Sequence, residues 1–125
     1  MATPDDETRQ IIRRNWFYAL GEIADIELQR RTWLDLTNTD NPHWSYVEFI
    51  ESYPRDDELL DGLEKGYLSP QEADIFADFR RIKAAYKPPS GKNWDHAAIL
   101  NDPAWHRVVQ AAQRAVQDLA RLPQP

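Results

Sequence analysis

At Asn41-Pro42, Ser69-Pro70 and Asp102-Pro103 of this 125-residue chain a capping side chain is followed at once by proline. The first turn of a helix has N–H groups without acceptors, so a residue lacking that group costs nothing there and its fixed φ suits the turn. Each pair therefore marks a helix start. Ser69-Pro70-Gln71-Glu72 also carries the glutamate of a capping box. Stop signals stand between the starts: Pro54, Gly66, and Pro88-Pro89 ahead of the Ser90-Gly91 turn.

Apolar spacing fills the intervals with helices. From Asp5 to about Asp35, the residues Ile12, Trp16, Ala19, Leu20, Ile23 and Ile26 recur every three or four positions. Gly21 either kinks this stretch or divides it, and both readings stay open. A helix is expected from Pro42 to about Tyr53, and a short acidic one from Asp56 to Lys65. The helix after Ser69 carries the stripe Ile75, Phe79, Ile82 and Tyr86, and a short turn spans Trp94 to Leu100. The last helix should bury Trp105, Val108, Val109, Ala112, Val116 and Leu119. Val, Ile and Thr nowhere alternate long enough for a strand. The expected fold is all-α, one domain over residues 1–125 with flexible ends at 1–4 and 122–125, built as a bundle of about five to seven helices.

Composition limits function more than it names it. Apolar residues make up 42% and charged residues 29%, and the mean hydropathy is −0.73. That is enough for a core, with a well solvated surface. No apolar run approaches the roughly 18 residues of a membrane span, and the acidic Met1–Glu7 start is unlike a secretory leader, so no membrane role is expected. There is no cysteine, which removes disulfides, thiol chemistry and cysteine-bound zinc and fits a reducing cytoplasm. The formal charge of −6 is unevenly spread. Residues 41–78 hold ten acids and two bases, whereas residues 79–125 hold three acids and eight bases. Such an acidic middle cannot form a phosphate-binding groove, and no nucleic-acid partner is expected.

Glu48-x-x-Glu51 and Glu58-x-x-Asp61 are the constellation with chemical content, because four inward carboxylates on two helices can hold Mg²⁺ against a triphosphate. The pattern resembles the paired ExxE and ExxD motifs of the all-α nucleoside triphosphate pyrophosphohydrolases, which space them further apart than the six residues found here. Helical phase favours another use. Tyr46, Phe49, Ile50 and Tyr53 gather on one side of their helix, while Trp44, Glu48 and Glu51 fall on the other. With Asp57, Glu58 and Asp61 following, this describes a tryptophan anchor in a negative field, suited to a basic protein partner. His43, His96 and His106 have no metal-binding spacing, and His106 is expected to be an ordinary exposed imidazole. Neither GxSxG nor a phosphate-cradling glycine loop is present, so no catalytic residue and no cofactor are assigned. Trp16, Trp33 and Trp105 belong to apolar stripes, leaving Trp44 and Trp94 as candidates for exposure.

The order of features is similar to that of a family of small, all-helical bacterial proteins of unassigned activity. The features are Gln29–Leu34, the aromatic and acidic stretch Tyr46–Asp57, Leu68–Ala73, and Ile99–Val109 before the last helix. The resemblance implies an immunity-type protein that neutralises a toxin, with a bundle similar to the pyrophosphohydrolase fold. It implies a binding role and carries over no catalytic residue; the residues expected to bind, Trp44, Glu48, Glu51, Asp57, Glu58 and Asp61, come from helical phase and charge, and a homo-oligomer subunit is a third reading. Mg²⁺ at Glu48, Glu51, Glu58 and Asp61 belongs only to the alternative reading.

Overall fold

A computed structural model describes residues 4–35 and 45–123. These form α1 (Pro4–Ile23), α2 (Ile26–Trp33), α3 (Tyr46–Glu51), α4 (Asp56–Glu64), α5 (Pro70–Ala85), a 3₁₀ turn (Pro89–Gly91), α6 (His96–Leu100) and α7 (Pro103–Arg121). Among the described residues there is no strand, so the chain folds as an all-α bundle. No described helix is long and apolar enough to cross a membrane.

Two of the proline starts open helices as expected. Ser69 Oγ accepts the Glu72 N–H at 3.2 Å and Glu72 Oε1 accepts the Ser69 N–H at 2.8 Å, completing the capping box of α5. Asp102 Oδ1 accepts the Ala104 N–H at 3.0 Å at the start of α7. The third start, Asn41-Pro42, lies outside the described residues. α3 begins later than expected, at Tyr46, because Ser45 is extended (φ −149°, ψ 160°) and its hydroxyl accepts the Glu48 N–H. Of the helix expected from Pro42 to about Tyr53, the described residues form α3 alone.

The long N-terminal stretch divides at Ala24-Asp25 and not at Gly21, which stays inside α1. Asp25 caps α2 through the Leu28 N–H. Gln29, fully buried, holds the end of α1: its amide nitrogen donates to the carbonyls of Glu22 (3.0 Å) and Ile23 (2.9 Å). The Glu22 carbonyl also accepts the Asp25 N–H at 3.2 Å, but the Ile23 carbonyl would otherwise be orphaned where the helix stops. The amide oxygen of Gln29 accepts the Trp105 indole N–H at 2.9 Å, tying α1 and α2 to α7.

Seven of the nineteen buried residues of the core cluster are aromatic, and they touch one another. Trp33 sits edge-on to Tyr46 and Phe49 and tilted against Trp105, and Tyr53 stacks on Phe76. α7 packs on α5 and α1, and α5 also packs on α4. The expected stripe of α5 shifts by about one position, whereas that of α7 holds at Trp105, Val108, Val109, Ala112 and Leu119 and differs at one residue. Phe76 and Phe79 are the buried pair of α5, while Ile82 is 46% exposed; in α7 Ala115 is buried and Val116 is exposed. The cause is width: neighbouring helices on two sides cover more than one narrow seam. His106 also departs from expectation, since its Nε2 bonds the Leu100 carbonyl at 2.6 Å in a part-buried setting. The Trp33 indole N–H is buried without a partner among the described residues.

Candidate functional site: an acidic helix with an apolar centre

α4 carries five acids and no base over Asp56–Glu64. Asp56, Asp57 and Glu58 suit its first turn, where the helix dipole is positive. Glu58 Oε1 accepts the Arg55 backbone N–H at 3.0 Å, so this carboxylate serves the helix start. Three of the other four acids pair with bases: Asp57 with Arg55 at 3.2 Å, Asp61 with Lys65 at 3.0 Å, and Asp56 with Arg80 of α5 at 2.7 Å. The hydrogen bond from Arg55 holds the Asp57 carboxyl below its ordinary range, and the bond to Asp61 raises the Lys65 ammonium above its own.

Two apolar side chains stand within this acidic surface. Leu59 and Leu60 are adjacent, so they point about 100° apart and a single packed face can take only one. Leu59 is buried against the core, whereas Leu60 is 65% exposed and Leu63 also reaches the surface. On the helix, Asp56, Asp57, Asp61 and Glu64 surround Leu60. A cleft of about 270 Å³ beside it, between α4 and α5, is lined by Leu59, Leu60, Leu63, Asp74 and Ala77. The sequence reading missed Leu60 and Leu63. Their signal was present in the leucine doublet inside an acidic helix.

The remaining expected site residues are dispersed. Glu48 is half-buried and Glu51 exposed on α3, which packs on α1, whereas Glu58 and Asp61 belong to α4, which packs on α5. Among the described residues no group of three or more His, Asp or Glu side chains is close enough to hold a metal ion. Trp44 lies outside the described residues. Trp94 is 69% exposed, far from its core counterparts Trp33 and Trp105 in environment.

His96 is also better connected than its spacing suggested. Its ring bonds the Trp33 carbonyl through Nδ1 at 3.1 Å and accepts the Tyr46 backbone N–H at Nε2 at 3.3 Å. One neutral tautomer satisfies both bonds, with the proton on Nδ1. It joins the end of α2 to the start of α3, a structural duty that leaves neither nitrogen for a ligand.

No known family model, curated protein or solved structure matches this chain.

Proposed function

We propose that this protein is a non-catalytic binding module of the cytoplasm, an immunity-type or regulatory protein that occludes a basic partner with its acidic surface. The observation that carries this reading is the exposed Leu60, ringed by Asp56, Asp57, Asp61 and Glu64 on α4 and set beside a cleft. An apolar contact at the centre of a patch supplies binding free energy once water is excluded, and the charged ring selects and steers the partner. Glu48 and Glu51 on α3 add negative charge apart from this patch, and Trp44 is the second anchor that the sequence offers. The partner is a protein with a positive active surface, such as a nuclease toxin, and the mechanism is steric cover without bond chemistry.

Affinity capture from the source cells at about 50 and about 500 mM salt tests this, because rim charges act over roughly a Debye length. Two baits are compared, the unaltered protein and an Asp57→Lys, Asp61→Lys variant. The expected result is a basic protein held at low salt by the first bait alone. Purified, it should bind Leu60→Asp at least about tenfold more weakly. Equal retention by both baits, or unchanged affinity for Leu60→Asp, defeats the reading.

A further inference from the structure

α1 has a second face that continues onto the start of α2. Ile11, Arg14, Tyr18 and Gly21 follow one another along α1 at spacings of three and four, the repeat of a helix–helix seam, and past the break Asp25 and Leu28 keep that spacing at the cap and first turn of α2, where Leu28 also packs partly on the core. All but Ile11 line one groove of about 760 Å³ along α1 and the start of α2. Tyr18 is 66% exposed and Ile11 48% exposed. Arg14 makes no ion pair among the described residues.

Gly21 has no explanation within the monomer. It lies in the interior of α1, where glycine is the poorest helix former after proline, and its φ is not positive. A Cβ built there would meet nothing within 4 Å. The fold gains nothing from its absence, whereas a partner lying in the groove gains close approach.

The seam complements itself when reversed. About a midpoint between Ala19 and Leu20, Ile11 mirrors Leu28, Arg14 mirrors Asp25, and Tyr18 mirrors Gly21. Each mirrored pair is favourable: apolar with apolar, cation with carboxylate, large ring with bare backbone. A two-fold axis brings a residue of one copy onto its mirror in the other, and the interface is then isologous and closed. We propose that the occupant of this groove is a second copy of the same chain, packed antiparallel, with each Tyr18 seated on the partner's Gly21 and each Arg14 facing the partner's Asp25. The face is separate from the acidic surface of α4, so this dimer does not depend on the binding function proposed for that surface.

Sedimentation equilibrium from about 5 to about 500 μM tests the proposal over the range of a modest helical interface. A monomer–dimer equilibrium is expected for the unaltered protein. Gly21→Gln should raise the dimer Kd at least about tenfold while the urea midpoint stays equal or rises, since the monomer has room for the side chain. Arg14→Glu alone and Asp25→Arg alone should each be monomeric, and their equimolar mixture should dimerise, because only the heterodimer pairs opposite charges at both contacts. Asp25 also caps α2; if Asp25→Arg does not fold, the Arg14→Glu and Gly21→Gln results stand by themselves. A monomer at every concentration overturns the proposal. So does a dimer whose Kd is unmoved by Gly21→Gln and Arg14→Glu.

Discussion

The indole N–H of Trp105 donates to the side-chain oxygen of Gln29 at 2.9 Å, across 76 positions of the chain and in full burial. The same carboxamide donates to two carbonyls at the end of α1. These bonds replace water that the interior cannot supply, so losing the amide leaves two groups unpaired, the Ile23 carbonyl and the Trp105 N–H. Gln29→Leu should cost about 3 kcal/mol in urea denaturation, at one to three per orphaned group. Trp105→Phe removes one partner, and a double-mutant cycle of the pair should return a coupling of about 1 kcal/mol or more. A coupling near zero would show that the bond carries no stability.

Arg13 links α1 to α5 by a two-pronged bond to Glu72, at 2.7 and 2.9 Å, while also donating to the Tyr67 carbonyl. The hydrogen bond from Arg13 holds the Glu72 carboxyl below its ordinary range. Its contribution is therefore present above the unfolded carboxyl pKa, near 4.5, and is lost as pH falls through the lower folded value. Glu72→Gln should cost about 1–2 kcal/mol at pH 7. The variant and the unaltered protein should converge in stability at strongly acidic pH, measured by denaturant midpoint.

His96 acts with the same sign at higher pH. Burial lowers its pKa from 6.5, opposed weakly by the Trp33 carbonyl and Asp95. The unfolded chain then takes up the proton first, so stability present above about pH 6.5 is lost as pH falls through the folded value. A charged ring also cannot accept the Tyr46 N–H. Between pH 7.5 and pH 5 the urea midpoint should fall less for His96→Gln than for the unaltered protein. Parallel curves would contradict the assignment.

Gly62 and Gly21 should respond oppositely to alanine. At Gly62 a Cβ would lie 2.7 and 2.8 Å from the Trp16 ring, where α4 passes close to α1. Gly62→Ala should destabilise by about 1–3 kcal/mol through overpacking. At Gly21 the space is open, and Gly21→Ala should stabilise the monomer by roughly 0.5–1 kcal/mol through helix propensity. Thermal denaturation at a concentration below dimer formation distinguishes the two.

What the chain declares by itself is where helices begin and end. Ser69, Asp102 and Gly66 act through atoms within a few residues, so local physics suffices, and α4, α5 and α7 lie where their caps and breakers put them. The candidate site was legible in part: the acids of α4 were visible, but Leu60 was not, because a leucine doublet does not say which member its neighbours will cover. Tertiary contact decided the rest. It buried Phe76 and Ala115 and left Ile82 and Val116 at the surface, since helical periodicity fixes a face only to within about one residue, or 100°. It also set the end of α1 at Ile23, through an amide on the next helix that is itself held by Trp105, a partner no local window contains. Caps are short-range hydrogen bonds and can be read from neighbours; burial is a property of surfaces that meet only when the chain has folded.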